Sequence, residues 1–102
     1  MGVEHLKADS FKDFIQTKEL AIVDFWASWC GPCRMLAPVL DELSEKANLK
    51  IGKVNVDEES ELIKAFQIHS IPTLLAFRAG KQVGRIEGFM PYNELLAWVN
   101  SL

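Results

Sequence analysis

Between an apolar segment and a segment with helical spacing, the chain reads Trp26-Ala27-Ser28-Trp29-Cys30-Gly31-Pro32-Cys33. The apolar segment, residues 20–26, predicts a strand, and residues 34–46 predict a helix. Both cysteines of the chain lie here, and a C-x-x-C pair between a strand and a helix is typical of thiol redox chemistry. Free N–H groups and partial positive charge at a helix start favour a thiolate. The motif therefore predicts that Cys30 attacks disulfides in other proteins and that Cys33 resolves the mixed disulfide.

Composition is ordinary for a globular protein and argues against several functions. The 102 residues, 49% hydrophobic and 25% charged, are expected to form one domain over residues 1–102. The net charge of −3 argues against nucleic acid as a partner. No apolar run approaches the ~18 residues of a membrane span, and the first residues do not resemble a secretory signal. A cytoplasmic location is expected, where two close cysteines more often indicate redox chemistry or a metal site than a structural disulfide.

Hydrophobic spacing predicts the element order β-α-β-α-β-α-β-β-α. Strands separated by helices imply parallel pairing with right-handed crossovers, and a final hairpin around Gly80 adds antiparallel strands. The expected architecture is an α/β fold, a mixed sheet between two layers of helix. Asp9 or Ser10 is expected to cap the first helix, which runs to about Thr17, and Met35 is expected on the buried face of the second. The strands are predicted at residues 3–7, 20–26, 50–56, 74–77 and 82–87.

Asp24 is the one polar residue in the apolar strand at residues 20–26. Burial of a charged carboxyl is costly, so its pKa should rise. Two interpretations stay open. The carboxyl is structural and bonded to the backbone, or it is a general base that takes the proton from Cys33.

Over essentially its whole length, the chain resembles the thioredoxin family. The sequence W-C-G-P-C, followed about forty residues later by I-P-T in this order of strands and helices, is highly specific. The matching positions are Asp24-Phe25-Trp26-Ala27, Trp29-Cys30-Gly31-Pro32-Cys33, Pro38, Lys53-Val54-Asn55-Val56-Asp57, Ile71-Pro72-Thr73, Gly80 and Gly88.

The resemblance implies a central five-stranded mixed sheet flanked by four helices. It implies a cytosolic monomer with no bound cofactor or metal, which reduces disulfide-containing proteins through the Cys30–Cys33 pair. A flavin enzyme, thioredoxin reductase, would regenerate the dithiol with electrons from NADPH. For Asp24 the resemblance implies the general-base role, acting through water. Lys53 would lie on the neighbouring strand, either as the partner of Asp24 or as an ordinary exposed lysine.

Further positions are implied to shape the substrate surface. Pro72 would be a cis proline facing the cysteines, in the Ile71-Pro72-Thr73 motif. Ile71 would offer backbone groups to an extended substrate strand. Trp29 is expected to be half exposed beside the nucleophile, and Gly88 to leave a flat spot near the groove. Trp26 is expected to pack under the active-site loop.

Other functions remain possible on the sequence. A structural zinc site needs four ligands, and one C-x-x-C with two histidines at no matching spacing supplies them poorly. A disulfide oxidase or isomerase of a secretory compartment is disfavoured by Gly31 and Pro32, which set the turn between the cysteines and, in the family, favour a reducing couple. A non-catalytic docking role depends on surface shape and stays open.

Overall fold

The computed structural model describes residues 2–102, which form a single mixed sheet covered by helices. The five strands are β1 (Glu4–His5), β2 (Ala21–Trp26), β3 (Lys50–Asn55), β4 (Thr73–Arg78) and β5 (Lys81–Glu87). The four helices are α1 (Ala8–Phe14), α2 (Gly31–Lys46), α3 (Ser60–Ala65) and α4 (Tyr92–Asn100). The sheet order is β1-β3-β2-β4-β5, parallel among the first three strands and antiparallel beyond. The predicted five-stranded, four-helix architecture is confirmed.

Strand β2 lies at the centre of the sheet and separates two hydrophobic cores. Val23 and Phe25 face a core that contains the phenylalanines of α1. Ile22 faces the opposite core, which contains the buried leucines of α2. Because both faces of the strand are covered, its sequence is apolar throughout except at Asp24.

The start of α1 differs from the prediction. Neither Asp9 nor Ser10 is the N-cap, because the helix begins at Ala8 directly after Lys7. Ser10 instead stands in the first turn, where its hydroxyl oxygen accepts the backbone N–H of Lys7 at 2.9 Å. The Ala8 N–H donates to the Glu59 carboxylate, also at 2.9 Å. That distant partner leaves no local sequence signal. The helix ends at Phe14 rather than near Thr17.

The buried face of α2 is narrower than predicted. Met35 is 59% exposed, whereas Leu36, Leu40 and Leu43 are fully buried. At 3.6 residues per turn these leucines form one stripe, and Met35 lies on its flank beyond the reach of the sheet. The helix also begins earlier than predicted, at Gly31. Strands β4 and β5 likewise begin one residue earlier, at Thr73 and Lys81.

The predicted hairpin is confirmed, and its turn consists of Ala79 and Gly80. Both residues have positive φ, 50° and 82°. This combination is typical of a two-residue turn whose twist matches the flanking strands, which explains the glycine. The turn is also held from outside, because Gly80 N–H donates to the Ile15 carbonyl at 2.8 Å.

Gly52 on β3 allows α1 to approach the sheet closely. A Cβ at this position would stand 2.5 Å from Leu6 Cδ1 and 3.1 Å from Phe14 Cζ, both in the core. We expect Gly52→Ala to lower the free energy of unfolding by about 1–3 kcal/mol through overpacking, measured by urea denaturation. Gly2→Ala is the control, since its Cβ would meet no described atom within 4 Å. Equal stability of the two variants would contradict this packing.

Candidate active site

Cys30 forms the N-cap of α2. Its backbone is extended, and its Sγ accepts the backbone N–H of Cys33 at 3.2 Å. The two sulfurs are joined in a disulfide, with 5.2 Å between the Cα atoms. Gly31 and Pro32 occupy the first two helical positions, where the missing N–H of proline costs little. The predicted helix-start location is confirmed, so an N–H group and the helix dipole favour negative charge on the Cys30 sulfur.

The two cysteines are buried to different depths. Cys30 retains 6% of its surface and Cys33 2%, so the second cysteine is the less exposed one, as predicted. Both pack with Ala27, and Trp26 and Ile71 cover this small cluster. Trp26 therefore packs against the active-site loop, which is also as predicted. Of the two cysteines, Cys30 is the more exposed.

The loop before β4 faces the cysteines. The Ile71–Pro72 peptide bond is cis, which confirms the conformation implied by the resemblance. The carbonyl oxygen of Ile71 lies 3.7 Å from Cys30 Sγ. Residues 41 positions apart are thus brought together, and a backbone edge stands beside the more accessible sulfur.

Thr73 and Gly88 hold this loop from behind. The Thr73 side chain is fully buried, and its hydroxyl donates to the Ser70 carbonyl. The Gly88 N–H donates to the Pro72 carbonyl at 2.8 Å. Gly88 has a φ of 92°, a left-handed conformation that favours glycine. Both residues therefore contact the loop backbone directly.

Trp29 is more exposed than predicted, at 66% of its surface. Its indole N–H donates to the carboxylate of Asp57, at 3.0 and 3.3 Å. The sequence interpretation missed Asp57 as a contact of Trp29. The available signal was the parallel pairing of β2 with β3, because Trp26 lies opposite Asn55 and the residues that follow both strands then meet.

A shallow cleft of about 260 Å³ separates Trp29 from the Ile71 loop. Its walls are mainly apolar, and an apolar surface next to the cysteine pair suits contact with another protein chain. The lining residues are Trp29, Val56, Ile63, Ile68, His69, Ser70 and Ile71.

Asp24 is fully buried, and within residues 2–102 neither carboxylate oxygen has a hydrogen-bond partner. The interpretation as a carboxyl bonded to the backbone is therefore wrong. Burial raises its pKa from 3.8 to about 7, while the positive charge of Lys53 acts in the opposite direction. Lys53 lies opposite Asp24 in the β2–β3 register, and its ammonium stands 4.9 Å from the centre of the Trp26 ring.

A cysteine pair that closes at a helix start, beside an exposed backbone edge, exchanges its disulfide with those of other molecules. The fold and the site thus define a thiol–disulfide oxidoreductase.

Comparison with known proteins identifies the family. The family model described as Thioredoxin matches residues 2–101. A thioredoxin of Alicyclobacillus acidocaldarius is 46% identical over 90 residues, which cover 86% of each chain. A mutant thioredoxin of Halobacterium salinarum has a similar solved structure, with a TM-score of 0.92 and 31% identity over 98% of this chain and 89% of that one. The chain belongs to the thioredoxin family, and it is a protein-disulfide reductase.

A further relative joins two activities in one polypeptide. The bifunctional thioredoxin reductase/thioredoxin of Mycobacterium leprae is 46% identical over 88 residues, 84% of this chain and 19% of that protein.

Two further findings concern metal ions and membranes. Across the part of the chain that the structure describes, no three His, Cys, Asp or Glu side chains come together to hold a metal ion. None of the four helices in residues 2–102 combines the length and the hydropathy needed to cross a membrane.

The raised pKa of Asp24 predicts a specific dependence of stability on pH. The folded state keeps the proton up to about pH 7, whereas the unfolded carboxyl loses it near pH 4. Stability should therefore fall as pH rises between these values, by up to about 4 kcal/mol. Asp24→Asn should abolish this fall, because asparagine does not ionise. Urea unfolding of both proteins at pH 4 to 8 measures the difference.

Asp41→Asn, on the exposed face of α2, is the matched control and should leave the pH dependence of the original chain unchanged. Because a buried amide has a cost of its own at every pH, only the change with pH decides. Parallel pH curves for the Asp24→Asn variant and the original chain would contradict the buried-acid interpretation.

Proposed function

We propose that Cys30 is the nucleophile and Cys33 the resolving thiol of this reductase. The observation that supports these roles most directly is the 3.2 Å contact between the Cys33 N–H and Cys30 Sγ at the start of α2. It favours a thiolate at the sulfur that is also the more accessible of the two. Cys33, which is deeper, is protected until a mixed disulfide has formed.

The first step is the attack of the Cys30 thiolate on one sulfur of the substrate disulfide. The substrate S–S bond breaks, a mixed disulfide forms between Cys30 and that sulfur, and the other substrate sulfur leaves as a thiolate that takes a proton from water. No net electron transfer has occurred at this stage, because one disulfide has been exchanged for another.

The second step transfers the electrons. The Cys33 thiol gives its proton through water to the ionised Asp24 carboxylate, and the resulting thiolate attacks Cys30 Sγ. The mixed disulfide breaks, the second substrate sulfur leaves as a thiolate that takes a proton from water, and the Cys30–Cys33 disulfide forms. Asp24 then returns its proton to water. The substrate gains two electrons and two protons. A carboxyl with a pKa of about 7 suits this role, because near neutral pH it both accepts and releases a proton.

Four residues support the reacting groups in this proposal. Gly31 and Pro32 set the turn that lets the sulfurs meet. Lys53 moderates the pKa of Asp24 through its charge, and Trp26 shields the cysteine pair from below.

The substrate is proposed to bind as an extended strand along the loop before β4. Ile71 would supply backbone hydrogen bonds to it, next to the Cys30 sulfur. Trp29 and Gly88 would flank the bound chain, while Pro72 and Thr73 would keep the loop in place. The apolar cleft beside Trp29 supports this arrangement.

We also propose how the dithiol is regenerated. A thioredoxin reductase would reduce the Cys30–Cys33 disulfide with electrons from NADPH, and the bifunctional relative of Mycobacterium leprae supports this pairing. The chain would act in the cytoplasm as a monomer, with residues 1–102 as one domain and no bound cofactor.

The activity is tested by the reduction of insulin. With NADPH and a bacterial thioredoxin reductase, we expect catalytic amounts of the protein to precipitate insulin chains and to consume NADPH. The reductase and NADPH without the protein are the control. Insulin reduction by chemically reduced protein, but not with the reductase, would contradict the proposed partner alone.

The separate roles of the cysteines are tested by Cys33→Ser. Without the resolving thiol, the mixed disulfide should persist, and non-reducing mass spectrometry should detect a covalent adduct of insulin with Cys30. Cys30→Ser is the matched control and should form no such adduct. Normal turnover by the Cys33→Ser variant would show that the assigned role is wrong.

A further inference from the structure

Arg85 and Glu87 are two of the three charged side chains on the outer strand β5, and the mechanism does not use them. Because they stand two positions apart on a strand, they lie on the same face of the sheet. Both contact the segment of residues 66–71, which connects α3 to the loop facing the cysteines.

Arg85 binds the beginning of this segment. Its Nη1 donates to the Phe66 carbonyl at 2.8 Å, and its Nη2 donates to the Gln67 carbonyl at 2.9 Å. These carbonyls follow the end of α3, where a cation is favoured by the helix dipole. Gln67 has a φ of 52°, which is uncommon for a residue with a side chain. The guanidinium group thus stabilises the backbone at Gln67 in a conformation that is unfavourable for a residue with a side chain.

Through Glu87, the same arginine also reaches the far end of the segment. Arg85 Nε donates to Glu87 Oε2 at 3.3 Å, and the hydroxyl of Ser70 donates to Glu87 Oε1 at 2.8 Å. The hydrogen bond from Ser70 has the largest effect on the pKa of Glu87, and the one from Arg85 the next largest. Both lower this pKa and favour the ionised carboxylate. Ser70 directly precedes Ile71, so the network ends one residue from the carbonyl beside the nucleophile.

We propose that Arg85 is a positioning residue for the reduction of protein disulfides, acting through Glu87 and Ser70 on the backbone of Ile71. The inference rests on the proposed role of Ile71 in pairing with an extended substrate chain. A loop that is already ordered loses less conformational freedom when the substrate binds, which favours association. A small disulfide without a peptide backbone makes no such pairing, so its reduction should be insensitive to the network.

The difference between protein and small disulfides provides the test. Reduced protein is mixed with insulin or with 5,5′-dithiobis(2-nitrobenzoic acid), and the second-order rate constant is measured for each. We expect Ser70→Ala, which loses one hydrogen bond to Glu87, to slow the reaction with insulin by about three- to tenfold. Arg85→Gln removes a side chain that makes three hydrogen bonds and should slow it at least as much. The reaction with the small disulfide should be unchanged. A purely structural role would change neither rate in a protein that remains folded.

Two control variants accompany these. Lys81→Gln removes the same charge from the same strand at its far end and should reduce insulin at the original rate. Ser70→Thr retains the hydroxyl group and should restore most of the insulin rate that Ser70→Ala loses. Urea unfolding establishes that each variant is folded at the assay temperature. If Arg85→Gln does not fold, the comparison of Ser70→Ala with Ser70→Thr decides alone.

Equal insulin rates for the original chain and the Ser70→Ala and Arg85→Gln variants would overturn the positioning role. Equal slowing with insulin and with the small disulfide would overturn it as well. Failure of the original chain to reduce insulin would contradict the proposed function instead, so the two failures are distinguishable.

Discussion

The hydrogen bond from the Cys33 N–H to the Cys30 sulfur depends on the meeting of one strand and one helix. Strand β2 ends at Trp26, a short loop leads from there to Cys30, and α2 begins at the next residue. Because β2 is buried on both faces, the position of the junction is fixed by two hydrophobic cores rather than by the surface loop itself.

Asp24 belongs to the same buried strand and places an ionisable carboxyl in the hydrophobic core. A carboxyl without hydrogen-bond partners among the described residues destabilises the folded state when it ionises. Buried groups with displaced pKa values cluster at functional sites. The strand that leads to the cysteine pair therefore also carries the carboxyl proposed as its proton acceptor, and burial raises the pKa of that carboxyl to about 7.

Much of this organisation was readable from local sequence patterns. The periodicity of residues 20–26 and 34–46, and the glycine at position 80, predict β2, α2 and the hairpin because each signal lies within a few residues. The cysteine pair carries its own chemistry. The prediction that Met35 is buried was wrong because hydrophobic spacing alone does not show how wide a face of the helix the sheet covers.

Contacts between distant segments could not be predicted in the same way. Trp29 with Asp57, and Arg85 with the carbonyl of Phe66, depend on strand register and on the direction of long side chains. The N–H of Ala8 donates to an acceptor about fifty residues away, so no local sequence pattern predicts this hydrogen bond. These pairings emerge only when the sheet order is known.

The two edge strands of the sheet affect the tendency of the protein to aggregate at high concentration. On one side β1 has only two residues, and on the other β5 carries charged side chains and pairs with β4 through an irregular register. Short, charged or irregular outer strands are poor templates for a strand from a neighbouring molecule. The two outer strands thus disfavour amyloid-like stacking, whereas the proposed pairing with a substrate chain uses the loop before β4.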